Sequence, residues 1–178
     1  MFRLGLCSVT FRDKSVEEVI GIAAANSLDG IEWGGDVHVP PDTPPQRVRE
    51  IAGLCSDAGI DIPTYGSYFN VLDDSAGDFA PLLETAHALG AGAIRVWAGW
   101  VEPGQETAEQ WEKITSTSRE IAGAAAEKNI RVAYEFHDHT PTEGGENAMR
   151  LLEAVGHANM FTYWQTVYPN TLEGSLDN

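Results

Sequence analysis

Arg131-Val132-Ala133-Tyr134-Glu135-Phe136-His137 is the stretch on which the fold turns. Read as an extended segment, it sends Arg131, Ala133, Glu135 and His137 to one side and Val132, Tyr134 and Phe136 to the other. A strand sandwiched between two helix layers in an open doubly wound sheet would be apolar nearly throughout. Here one side is apolar and the other polar, which suits the wall of a closed barrel with helices outside and a lined interior. The split recurs at residues 93–98, with Ile94, Val96 and Ala98 against Arg95 and Trp97, and at residues 30–33, where Glu32 opposes Ile31 and Trp33.

Working outward, the chain repeats one phrase: a short β-branched or aromatic run, a polar loop, a helical run with apolar residues three and four apart, then Gly or Asn. Strands are expected at residues 2–9, 30–33, 61–65, 93–98, 131–137 and 160–165, so units begin about every thirty residues, the size of a βα unit. Ser15 with Glu18, and Thr107 with Gln110, have the spacing of capping boxes. Thr43 followed by Pro44 suits an N-cap and first helical residue, and Gly59, Gly90 and Gly156 stand where left-handed C-caps belong. No linker or low-complexity tract interrupts residues 1–178, so a single domain is expected. The fold class is α/β, a (β/α)8 barrel that is incomplete. Eight units take roughly 250 residues, and about six are present, which marks the chain as a fragment with C-terminal units missing. Two strand edges and some apolar surface should then be exposed, an aggregation liability.

Composition narrows the function. The 178 residues are 43% hydrophobic and 21% charged, ordinary for a globular domain. Eleven Lys and Arg against 27 Asp and Glu give a net charge of −16, which repels nucleic acid. No apolar run is long enough to span a membrane and no signal-like segment opens the chain, so a cytoplasmic location is expected. Cys7 and Cys55 are read as reduced core thiols. The Gly-rich run at residues 89–93 precedes a strand, whereas a phosphate cradle follows one, which excludes a nucleotide loop.

In parallel α/β folds the chemistry gathers at the C-terminal ends of the strands. Collected there are Ser8, Glu32, His38, Tyr65, Arg95, Trp97, Glu135, His137, Asp138, His139, Gln165 and Tyr168. Glu135 leads, because a carboxylate among Ala133, Tyr134 and Phe136 must be paired, protonated or bound to a cation. A salt bridge to Arg95 or Arg131 is the alternative to a metal. His137 shares the Glu135 face; Asp138 and His139 enter the loop. Glu32, His38, Tyr65, Arg95, Trp97, His137 and Gln165 are the candidate substrate-binding residues, Arg95 as a guanidinium donor and Trp97 as an aromatic wall.

Arg-Val-Ala-Tyr-Glu135-Phe-His137, Ile-Arg95-Val-Trp97-Ala-Gly and Gly-Ile-Glu32-Trp together resemble the xylose-isomerase-like barrels of sugar phosphate isomerases and epimerases. The likeness runs the length of the chain. It implies a divalent ion (manganese, magnesium or zinc) held by a Glu after strand five, an Asp and a nearby His after strand six, a His after strand seven and a Glu after strand eight. Glu135 matches the first, as catalytic base and metal ligand. Gln165 stands where the Asp is expected and Tyr168 where the His would fall, and a neutral amide binds such an ion more weakly. The function implied is isomerisation or epimerisation of a small sugar or polyol by metal-assisted proton transfer in the full-length form, this fragment being inactive. The alternative is a non-catalytic or metal-free sugar-binding barrel. The same superfamily includes an endonuclease branch, against which the charge weighs. Neither nucleic acid nor membrane is an expected partner; a homo-oligomer is left open.

Overall fold

Six short strands carry the chain: β1 (Gly5–Cys7), β2 (Gly30–Gly34), β3 (Tyr65–Asn70), β4 (Ala93–Trp97), β5 (Arg131–Tyr134) and β6 (Met160–Thr162). The helices between them are α1 (Val16–Ala25), α2 (Pro45–Asp57), α3 (Phe79–Leu89), α4 (Ala108–Ala126), α5 (Gly145–Val155) and α6 (Leu172–Leu176). This is a computed structural model that describes residues 2–73, 78–166 and 171–176. The strands join in the order β1-β2-β3-β4-β5-β6, sequential throughout. A doubly wound sheet reverses direction at a switch point, whereas a (β/α) barrel adds each strand beside the last. The architecture is therefore an incomplete barrel of the expected type.

Local chemistry sets several boundaries as read. Both capping boxes form: Ser15 accepts from the Glu18 amide while Glu18 reaches back to Ser15, and Thr107 and Gln110 do the same. Gly90 and Gly156 end α3 and α5 in the left-handed conformation, at φ 72° and 62°, which a Cβ would oppose. Other boundaries differ. Pro44 is the N-cap of α2 and Pro45 its first residue, one position later than expected. The third strand is not residues 61–65 but begins at Tyr65: Pro63 has no amide to donate, so the earlier segment is reduced to one bridge, Gly30 with Asp61. β1 and β6 are also shorter than the stretches expected for them, and β5 stops at Tyr134.

Contacts group the chain into two compact units, Met1–Tyr68 with Asp78–Ile94, and Phe69–Gly77 with Arg95–Asn178. The divisions fall inside β3 and β4. In the first unit β1 and β2 pair in parallel with Cys7 opposite Glu32. α1 packs on β2 and α2 on α3; the buried residues of these helices include Val16, Val19, Ile20 and Ala23 on α1, Val48 and Ile51 on α2, and Leu82, Leu83 and Ala86 on α3. Ile31 and Trp33 are wholly buried.

In the second unit β5 and β6 pair in parallel and α4 packs on β5 and α5. Tyr134 bonds through its hydroxyl to Ser118 of α4, and both are buried. Arg119 on the same helix donates to the carbonyls of Ala154 and Val155, both at 2.9 Å, tying down the end of α5. No helix among the described residues is long and apolar enough to cross a membrane.

Candidate active site

The Tyr134–Ser118 bond fixes the side of β5 that meets the helix layer. By alternation Glu135 projects from the opposite side. Its backbone is held twice: its amide donates to the Val96 carbonyl at 2.9 Å, and its carbonyl accepts from the Thr142 hydroxyl at 2.6 Å. Thr140 donates to the His137 carbonyl at 2.7 Å and lies 2.9 Å from the Thr142 hydroxyl, so two buried threonines brace the loop after β5.

Glu135 Oε2 forms an ion pair with Nη1 of Arg95, the side chains being 13% and 7% exposed. With so little water present, the two charges compensate each other, and the requirement that the carboxylate be paired is met within the protein. Two residues on, His137 Nδ1 lies 2.5 Å from Asp138 Oδ1 and 2.9 Å from the Asp138 carbonyl. Both partners are acceptors, so in the neutral ring Nδ1 carries the proton and Nε2 the lone pair. The ring packs 4.9 Å from Trp97 and 5.8 Å from Trp100, and the two indoles lie 4.6 Å apart. Trp97 is buried and Trp100 is 60% exposed. The arrangement places two proton-accepting groups, one compensating cation and an aromatic wall on the ends of β4 and β5.

Sequence reasoning named Glu135, Arg95, Trp97 and His137, and the structure pairs Arg95 with Glu135 and Trp97 with His137. It missed Trp100, although a Trp-Ala-Gly-Trp run directly after a strand was a usable signal. Asp138, expected as a loop residue, is the partner that orients His137. His139 sits further out with a left-handed backbone, φ 56°. Its Nδ1 is 2.6 Å from Glu102 Oε1, and its amide donates to Glu143 Oε2 at 2.8 Å. The hydrogen bond and charge of Glu102 raise the His139 pKa, with Asp138 and Glu143 adding to the effect. Gln165 lies three residues beyond β6 and is half-buried; Tyr168 lies outside the described residues.

The first unit holds its candidates separately. Glu32 accepts from the Cys7 thiol at 3.3 Å and from the Thr64 hydroxyl at 2.7 Å. His38 has both ring nitrogens engaged, Nδ1 with the Ser8 hydroxyl at 3.0 Å and Nε2 with the Lys14 carbonyl at 3.2 Å. Ser8 in turn accepts from the Gly34 amide at 2.9 Å. A carbonyl can only accept, so Nε2 carries the proton and Ser8 donates to Nδ1. Tyr65 is wholly buried and donates to the Val39 carbonyl at 2.8 Å, and desolvation raises its pKa well above the usual tyrosine value.

Around Glu135 the described residues do not compose a divalent-ion site. Arg95 already holds one carboxylate oxygen, the corresponding position after β6 is the amide Gln165, and the described residues gather three His, Cys, Asp or Glu ligands only at Glu102, His139 and Glu143.

Residues 20–167 match the family described as xylose isomerase-like TIM barrel. The chain belongs to that family. Among the xylose isomerase-like barrels, it is 23% identical over 168 residues to a 3-dehydroshikimate dehydratase of Bacillus anthracis, covering 89% of this chain and 59% of that protein. The crystal structure of the probable 3-DHS dehydratase AsbF, involved in petrobactin synthesis in Bacillus anthracis, superposes with a TM-score of 0.76 at 23% identity, covering 90% of this chain and 62% of the other. The apo 3-keto-D-glucoside 4-epimerase YcjR of E. coli superposes with a TM-score of 0.75 at 14% identity, covering 99% and 74%. The chain thus spans about three-fifths of the length of the first two relatives.

Proposed function

We propose that this chain carries the proton-transfer groups of an isomerase or epimerase for a small sugar or polyol, with Glu135 as the base. The observation that supports it is that Glu135 and His137, just beyond β5, each have a partner on β4: Arg95 for Glu135 and Trp97 for His137, whose ring Asp138 orients. In this reading Glu135 takes the proton from the carbon beside the substrate carbonyl, the C–H electron pair forms an enediolate, and Glu135 returns the proton to the neighbouring carbon on the same face; inversion at the first carbon would require a second acid on the opposite face. His137, through Nε2, exchanges the proton of an adjacent hydroxyl. Arg95 compensates the charge of Glu135 and holds its orientation, while Trp97 and Trp100 meet the C–H bonds of the substrate.

Glu32 and Gln165 remain proposed substrate contacts. His38 and Tyr65 would each have to give up a bond to reach a substrate, at a cost of about 1–3 kcal/mol for a buried group left unsatisfied. That makes them better suited to holding the loops after β1 and β2.

Two further readings have specific support. The dehydratase name borne by two relatives favours loss of water from a cyclic hydroxy-ketone, which begins with the same abstraction of a proton beside a carbonyl. The Arg95 pair and Gln165 favour a metal-free sugar-binding barrel. One experiment separates the three. The protein is incubated in D2O with manganese and either D-fructose or 3-dehydroshikimate, and followed by NMR. Deuterium entering C1 or C3 of the sugar is expected, with a 10²- to 10⁴-fold loss in Glu135→Gln. Conversion of 3-dehydroshikimate to an aromatic dihydroxybenzoate selects the dehydratase. Chemical-shift changes with D-fructose but no exchange select the binding barrel, and exchange as fast in Glu135→Gln as in the unmodified chain removes Glu135 as the base.

A further inference from the structure

We propose that Glu102, His139 and Glu143 form a divalent-cation site separate from Glu135. The three come from two loops, the one between β4 and α4 and the one between β5 and α5, His139 standing 37 positions after Glu102. One ligand atom from each lies within 4.8 Å of the other two, which is the compactness a single ion requires. The set is an imidazole and two carboxylates, the mixed nitrogen and oxygen donors that suit zinc, cobalt or manganese, and three protein ligands leave further positions for water.

This is more than a patch of surface acid. An imidazole is the directional member, and its backbone adopts φ 56°, outside the range an ordinary residue prefers, while its amide is fastened to Glu143. The Asp138 Oδ2 lies 3.9 Å from His139 Nε2, so a third carboxylate adds to the negative potential around the ion. The placement also has a consequence. Trp100 stands two residues before Glu102, and His137 two residues before His139. An ion here would lock the two loops whose other ends carry the ring cluster of Trp97, Trp100 and His137. Its role is to brace those loops, and it does not depend on which reaction the chain performs.

The test uses cobalt(II) as a spectroscopic probe and zinc(II) in calorimetric titration of the purified chain. One ion per chain is expected, with ligand-field bands of a mixed nitrogen and oxygen site. His139→Asn retains a residue that tolerates the left-handed backbone, and should weaken binding at least tenfold with the circular dichroism unchanged; Glu102→Gln and Glu143→Gln should each weaken it as well. Glu135→Ala should bind as the unmodified chain does. The site is overturned if neither ion binds, if His139→Asn binds with unaltered affinity, or if Glu135→Ala abolishes binding while its circular dichroism matches that of the unmodified chain. None of these outcomes bears on the D2O exchange, so the two proposals can fail independently.

Discussion

Arg95 and Glu135 are each more useful to the fold with the other than alone. Removing a guanidinium that is 7% exposed leaves a carboxylate that is 13% exposed without compensation, and such a loss costs about 3–5 kcal/mol. Arg95→Met should therefore lower the denaturant midpoint markedly, and adding Glu135→Leu should recover most of the loss, as measured in a double-mutant cycle by urea unfolding. Equal damage in the single and double variants would mean that the pair contributes nothing through its charges. At this scale the sequence was informative about direction and poor about partners. Period-two alternation read Glu135 and His137 onto one side of a strand, but β5 stops at Tyr134, and what holds Glu135 beyond it is its amide bond to the Val96 carbonyl. Asp138 as the orienting group of His137, or Glu102 meeting His139, depends on loop paths and rotamers that no spacing encodes.

The packing of β5 on α4 includes one buried hydroxyl pair, Tyr134 with Ser118. Tyr134→Phe removes a partner from Ser118 and leaves that hydroxyl buried, at about 1–3 kcal/mol, whereas Tyr134→Phe with Ser118→Ala should be nearly neutral. Thermal unfolding of the three variants checks this. The same tyrosine sets a pH limit. Burial raises the pKa of Tyr134 and of Tyr65 above their ordinary value of 10. A raised folded pKa means that the unfolded chain loses its protons first, so stability is complete below about pH 10 and falls as pH rises beyond it. Unfolding in urea between pH 8 and 11.5 should show this fall, and Tyr65→Phe with Tyr134→Phe should flatten it; a fall of the same slope in that double variant would assign it to other groups. Among the elements, capped helices were legible because a capping box is a four-residue event. β3 was not: Pro63 divides a stretch that follows β2 from Asp61 onward, so the strand proper begins only at Tyr65.

For the molecule as a whole, charge and exposed apolar surface act against each other. A net charge of −16 drives copies apart, while the terminal strands β1 and β6 lie beside exposed Phe2, Leu4, Phe161 and Trp164. Long-range repulsion reaches about 30 Å at 0.01 M salt and about 3 Å at 1 M, whereas apolar and strand-edge contacts act only at touching distance. Sedimentation velocity should therefore show a monomer in dilute buffer and association in 1 M sodium chloride. Leu4→Lys with Phe161→Lys should suppress that association, because a lysine on a strand edge disfavours pairing with another chain. The sequential βα phrasing made those edges foreseeable: a parallel sheet built one unit at a time has two ends until it closes. Association that ignores salt, or survives both lysines, would place the sticky surface elsewhere than at the ends of the sheet.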